Sequence, residues 1–446
     1  MVRKIFLYVT FALILSASLT WAAKNPATTI QSTLTLEKCL ELAYANNQQL
    51  KATTQAVVIA QATVDKAKGG FLPSLDYQLG MTNSNDPDTG LMLLPNSSGG
   101  QEVVSYEYPN PAYSGSLSAS YPLYTGGKLQ NALKIARLQL DLAKEKERAA
   151  RQKLTYNVKA TYHQVWLAEE QLLVANASYE NMARHAERIE KLFAVGNTSK
   201  FELLRAQVNR DNLKPNVIKA QNGVALAKLA LQTLIGLKQE TPVKLALEPD
   251  SYQLPEKPNY RPDTALTAAY QNRSELKQLQ ISARIMQVQT DLTEAHLKPD
   301  VSLTGSYQRY GDDLSLDSSK EWTLTLEVKG NLFNGTNKPE ISIARAQLKQ
   351  QKIEEDGLKD SIRQEVEEVL NTIKENRETI KSTQASIILA KEALRLTEVR
   401  FQAGMATTMD VMDAQLALDQ ALTGYYNSLS AYLTAIAKWD LVTGVN

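Results

Sequence analysis

Across 446 residues the sequence has one cysteine, three histidines and no excess of either charge. A lone Cys39 excludes an intramolecular disulfide. Its setting in LEKC, beside Glu37 and Lys38, reads as a small core position on a short helix. Lys plus Arg number 49 against 48 for Asp plus Glu, so there is no net field to attract a nucleic acid. His163, His185 and His296 are isolated, form no metal-ligand spacing and read as solvated or interfacial residues. No phosphate-cradling glycine loop comes after a strand-like run and no nucleophile motif stands out, so nothing argues for an enzyme, a cofactor or a bound metal. Glycine and proline are both missing from Lys128 to Leu192, which excludes a break in that stretch.

The chain opens like a secretory signal. Arg3 and Lys4 precede an apolar run from Ile5 to about Leu19, and small residues come next at Ala22 and Ala23, so residues 1–23 are expected to be removed. That run is short of the roughly 20 residues of a spanning helix, and no later run approaches them.

Beyond residue 23 the chain carries one plan written twice. FAVGNTSKFELLRAQ at Phe193 to Gln207 returns as FQAGMATTMDVMDAQ at Phe401 to Gln415, with Phe, Gly, Ala and Gln coincident at an offset of 208. AYANNQQL at 43–50 returns as AYQNRSEL at 269–276, and Pro73 as Pro299, at an offset of 226. The first repeat covers residues 24–240 and the second 263–446, and a proline-rich linker, 241–262, carries Pro242, Pro249, Pro255, Pro258 and Pro262.

Within each repeat the hydrophobic period changes from helical to alternating and back. Leu36, Leu40, Ala43, Leu50, Ala56 and Ile59 keep helical spacing, with a break expected at Asn46-Asn47. Leu75, Tyr77 and Leu79 then alternate with polar residues, as do Leu117, Ala119, Tyr121 and Leu123, which predicts a hairpin at about 73–124 around a long polar surface loop, 81–112. The second hairpin, at about 299–333, pairs Val301, Leu303 and Tyr307 with Trp322, Leu324, Leu326 and Val328 over a shorter loop. Leu129, Leu133, Ala136, Leu140, Ala143, Ala150 and Leu154 keep a coiled-coil spacing that only Glu147 interrupts. The long helices expected at 128–192 and 339–402 are each roughly 100 Å at 1.5 Å per residue. Tips at 193–199 and 403–407 turn the chain into helices at 199–237, with an irregularity expected at Pro215, and 408–443.

The fold class is therefore mainly α with a small β part: duplicated long coiled-coil helices plus four amphipathic strands. Strands of about ten residues are long enough to cross an outer membrane, yet four cannot close a barrel. They either join strands from other chains or lie in water as a sheet with one wet face.

In this order of elements, present twice, and in RFQAGMATTMDVMDAQ at Arg400 to Gln415, the chain resembles the outer-membrane efflux protein family of TolC-like channels. The resemblance implies a homotrimer with a twelve-stranded barrel in outer-membrane lipid on a periplasmic α-helical barrel. It implies a passive exit duct of a tripartite efflux or type I secretion system, partnered by a periplasmic adaptor protein and an inner-membrane pump of RND, ABC or MFS type. It places Asp410, Asp413 and Glu202 at the periplasmic constriction, where three copies of the two aspartates would ring a threefold axis and attract cations. Acids near a helix start also simply complement the helix dipole, and that reading stays open. Ala406 stands where the best-known family member has an arginine of the closing network, which implies a lock that is either weaker or differently built. Val195, Gly196, Asn197, Thr198, Ala403, Gly404, Met405 and Ala406 match the tips that meet the adaptor. A periplasmic coiled-coil adaptor or scaffold that never forms a pore is the competing reading. The cargo, whether drug, metal or protein, is not written in the chain.

Overall fold

The computed structural model describes residues 34–83, 85, 89–95, 101–107, 111–237, 262–317, 319–331 and 335–445. The signal at 1–23 and most of the proline-rich linker lie outside them, as do residues 332–334 at the end of the second hairpin.

Two short helices open the first repeat, α1 (Leu36–Asn46) and α2 (Gln48–Gly69). Asn47 makes the break: its own N–H closes α1 on the Ala43 carbonyl, and its side chain caps α2 by accepting from Leu50 N. The long helices are α3 (Lys128–Ala194) and α4 (Lys200–Ile235). In the second repeat α5 (Pro262–Asn272), α6 (Ser274–Ala295), α7 (Asn337–Gln402) and α8 (Thr408–Thr443) take the corresponding places. Pro262, read as linker, instead opens α5, where a missing N–H costs nothing. Pro215 sits inside α4 without ending it, and it is exposed, so water can reach the carbonyl that it leaves unbonded.

The strands are β1 (Ser74–Thr82), β2 (Thr89–Pro95), β3 (Gln101–Glu107), β4 (Ala112–Tyr124), β5 (Asp300–Gly311) and β6 (Ser319–Lys329). The stretch expected to be a polar surface loop therefore contains an antiparallel ribbon, β2 with β3. The Asn, Pro, Ser and Gly of this stretch dominate its composition, and they obscure the runs LMLL and EVVSY that form the ribbon. The other four strands make one antiparallel sheet in the order β1-β4-β5-β6, which joins the two repeats through β4 and β5. Its outer strands, β1 and β6, each have one unpaired edge.

α3 packs along α4 and α7 along α8, while α2 and α6 lie beside the strand-proximal parts of the long helices. Glu147, which interrupts the α3 seam, accepts a hydrogen bond from Thr54 Oγ1 of α2 at 2.6 Å. Midway along, the short helices thicken the bundle into two cores. One gathers Cys39, Val158, Tyr162, Leu231 and Ile235; the other gathers Trp166, Ala269, Ile362, Val366 and Tyr432. Burial pushes the Cys39 thiol up to about 11, so it stays protonated and inert in that core.

The repeat is visible in three dimensions where each ends. Gly236 (φ +70°) closes α4 against Asn46, and Gly444 (φ +68°) closes α8 against Asn272. An added Cβ would meet Asn46 Cβ at 2.6 Å in the first case and the Asn272 carbonyl carbon at 2.8 Å in the second. Both the left-handed backbone and the close approach require glycine.

Candidate functional site

Two regions bear on function: the sheet at one end of the long helices and the helical tips at the other.

In the sheet, the pairing register sorts side chains by face across all four strands. Tyr77, Leu117, Tyr307 and Trp322 stand in one row, and Asp76, Ser118, Ser306 and Thr323 in the next. Because side chains alternate between faces, the rows rich in Leu, Tyr and Trp fall on one side and the rows rich in Ser, Thr and Asp on the other, except at the loop end, where Arg309 and Lys320 continue the Leu79 row and Tyr310 stands between Ser114 and Ser319. The apolar side is uncovered by this chain: Tyr77 is 80% and Trp322 76% exposed, and Leu75, Leu79, Leu324, Leu326 and Val328 are exposed with them. A continuous bare apolar face of this kind is too costly to leave in water. β1, β4, β5 and β6 run 9, 13, 12 and 11 residues, the length that crosses a tilted bilayer. Among the described residues no helix is long and apolar enough to cross a membrane.

At the tips, the two copies of the motif fold alike. Gly196 (φ +75°) and Gly404 (φ +73°) take the left-handed conformation after α3 and α7. The next amides reach back to close each helix, Asn197 N to Leu192 O and Met405 N to Arg400 O, both at 2.8 Å. Ser199 and Thr407 then cap the next helices by accepting from Glu202 N and Asp410 N, each at 3.2 Å. Val195, Gly196, Asn197, Ala403, Gly404 and Met405 are exposed and Thr198 and Ala406 half-exposed, so both turns present small uncharged surfaces.

The acids divide according to their partners. Asp410 completes a capping box, its Oδ2 accepting from Thr407 N at 2.7 Å and Thr407 Oγ1 at 2.8 Å. Those two bonds, with Arg400 nearby, hold its carboxyl below the usual range, so it is charged at neutral pH. Glu202, three residues after its own cap, turns instead to Arg205 at 3.9 Å. Asp413 is exposed one turn beyond Asp410. It lines a cavity of about 230 Å³ with Met182, Asn209 and Met412, between α3, α4 and α8. The tips touch each other there, Arg205 donating to Met409 Sδ at 3.1 Å and Asn209 to Met412 Sδ at 2.7 Å. The structure thus groups Asp410, Asp413 and Glu202 at one end of the bundle, each with a different neighbour.

Sequence reasoning missed three features. The Ser199-x-x-Glu202 and Thr407-x-x-Asp410 spacings were a legible capping signal. Asp419 is held between helices by Ser178 Oγ at 2.6 Å and Gln415 Nε2 at 2.7 Å, with burial raising its carboxyl; nothing local marks it. The histidines divide between the solvated and interfacial settings expected of them, but how deeply two of them are buried was not legible. His296 is exposed, but His163 and His185 are buried, and burial holds His163 neutral down to about 4. Each lies on a helix face turned toward a neighbouring helix, and periodicity in a polar stretch does not disclose that.

A family model described as "Outer membrane efflux protein" matches residues 39–237 and 265–444. The chain is 24% identical over 340 residues to the cation efflux system protein CusC of Escherichia coli, covering 74% of this chain and 73% of that one. It is 24% identical over 319 residues to the outer membrane protein TolC of Vibrio cholerae, covering 68% and 71%. Its fold matches the crystal structure of the Campylobacter jejuni CmeC outer membrane channel with a TM-score of 0.76, at 18% identity, over 92% of this chain and 85% of that one.

Proposed function

The chain belongs to the outer membrane efflux protein family, and from that premise we propose that three copies form a passive exit duct through the outer membrane and periplasm. The observation that carries this reading is the open sheet, with one face mainly apolar and largely bare, the other mainly polar, and a free edge on each side. Unpaired backbone in lipid is prohibitive, so β6 of one copy pairs with β1 of the next. Three copies close twelve strands, with the Tyr77–Trp322 row toward lipid and the Asp76–Thr323 row toward a wet lumen. A periplasmic scaffold that never enters the membrane has no use for such a face. The family and the relatives are named for efflux and not for catalysis, and in this reading the energy for transport comes from an inner-membrane pump.

The tips are the closing end. Asp410 and Asp413 supply a ring of carboxylates that attracts cations, and Asp410 keeps its charge because Thr407 stabilises the ionised form. Glu202 with Arg205 braces the first-repeat tip against Met409 of the second, in place of the arginine that Ala406 replaces. The uncharged turns at Val195–Thr198 and Ala403–Ala406 receive the helix ends of a periplasmic adaptor. The pump behind that adaptor is of RND, ABC or MFS type, and the cation cargo named for one relative is one candidate. Planar-bilayer recording tests both halves. Heat-resistant trimers with a steady cation-selective conductance are expected, with selectivity reduced in Asp410→Asn/Asp413→Asn. A soluble monomer without conductance overturns the duct, and unchanged selectivity removes the aspartates from the constriction.

A further inference from the structure

Between α3 and α7, above the tips, lies a cleft of about 300 Å³ lined by Arg184, His185, Arg188, Lys391, Arg395 and Glu398. Residues 181–188 precede Gly196 by about 12–22 Å of helix at 1.5 Å per residue. Arg184 and Arg188 are one turn apart on α3, and Lys391 and Arg395 one turn apart on α7. Like charges at that spacing repel. Here two such pairs face one cleft. Arg395 is held in a fork by Glu392 at 2.7 and 2.8 Å, and Arg184 donates to Asn181. Among the described residues, neither Arg188 nor Lys391 forms an ion pair. Only Glu398 opposes them within the lining.

A second observation points the same way. His185 is 7% exposed, and its Nε2 is buried without a hydrogen-bond partner. Its ring packs edge-on against Phe401 of α7, with centroids 4.7 Å apart, so the imidazole is fixed at the cleft wall. A buried polar nitrogen with no partner is costly unless a ligand supplies one. His185 lines the same cleft as Arg188 and Lys391, and its unpartnered Nε2 is a polar group beside them that still lacks a hydrogen bond.

We propose that this cleft is a carboxylate-binding site. Guanidinium forks match planar carboxylates, and Arg395 already holds Glu392 in that way. The same chemistry comes from an acidic side chain on a partner helix laid along α3 and α7, or from a free dicarboxylate. The uncharged tips seat a helix end without orienting it, and a cationic cleft above them supplies an electrostatic register mark. The site stands apart from the duct reading, since its geometry lies within one chain.

The test uses the full chain in detergent with two probes: a labelled helical peptide bearing two glutamates one turn apart, alongside its glutamine counterpart, and succinate. Peptide binding that the glutamine counterpart lacks, weakened about tenfold or more by Arg188→Gln/Lys391→Gln, assigns the site to a partner helix. Succinate binding lost in the same variant, without peptide binding, assigns it to a free carboxylate. Lys381→Gln, on a lysine already paired with Glu378, is expected to leave binding unchanged. Binding that is absent for both probes, equal for both peptides, or unchanged in the double variant overturns the proposal. Bilayer conductance of the double variant reads its folding separately and is expected to match the parent.

Discussion

Leu324 and Thr323 are neighbours on β6 that the sheet assigns to opposite solvents. Leu324 stands across from Gly305 and is exposed on the apolar face, at the middle of a strand running Ser319–Lys329. Thr323 stands across from Ser306, in the row that Asp76 and Ser118 share. If the apolar face meets lipid, an arginine at Leu324 loses its hydration near the bilayer midplane, a penalty of about 2–4 kcal/mol per chain. That is a shift of about 30- to 1,000-fold in the folding equilibrium. An arginine at Thr323 remains in water and is expected to move the equilibrium by less than about fivefold. Folding into lipid vesicles, titrated with guanidinium chloride and followed by the combined fluorescence of Trp166, Trp322 and Trp439, measures both variants. Heat-resistant trimers on gels give an independent check. Equal tolerance of the two, or damage from Thr323→Arg alone, would refute the assignment of faces and with it the lipid-facing wall.

Gly404→Ala adds a Cβ that meets nothing within 4 Å, so its cost is the left-handed backbone alone, about 1–2 kcal/mol. Hydrogen exchange at Met405 N is expected to quicken by about five- to thirtyfold, and an unchanged rate would mean that the turn is not held by this conformation. Gly236→Ala combines the same strain with a clash against Asn46 and is expected to cost more in a thermal melt. Burial raises Asp419, so the folded state binds its proton more readily than the unfolded chain. Its contribution is present below the unfolded carboxylate value and is lost as pH rises through the raised one. The melting temperature of Asp419→Asn relative to the parent is therefore expected to improve from pH 4 to pH 7; a trend of opposite sign would refute the assignment. Asp410 has that opposite sign, because Thr407 lowers it and its cap is lost as pH falls.

Some features were legible because they are local. Gly196 and Gly404 announce two turns through their backbone needs, and their common surroundings disclose the duplication. Leu75-Asp76-Tyr77-Gln78 discloses a two-faced strand, since a period of two cannot be read another way. The ribbon β2–β3 was hidden by the polar residues around it. Asp410 was visible as an acid near a tip, and its three-residue spacing from Thr407 signalled the capping box that the structure forms.

The sequence by itself determined the repeat, the long uninterrupted helices, the amphipathic strands and the glycine turns, because each arises from spacing along a few residues. Only the tertiary structure decided that Tyr77, Leu117, Tyr307 and Trp322 form one row, or that α3 and α7 bring Arg188, Lys391 and the buried His185 to one cleft. Those residues lie far apart along the chain, and how helices of roughly 100 Å rotate and slide against each other is set by summed packing that no local period records.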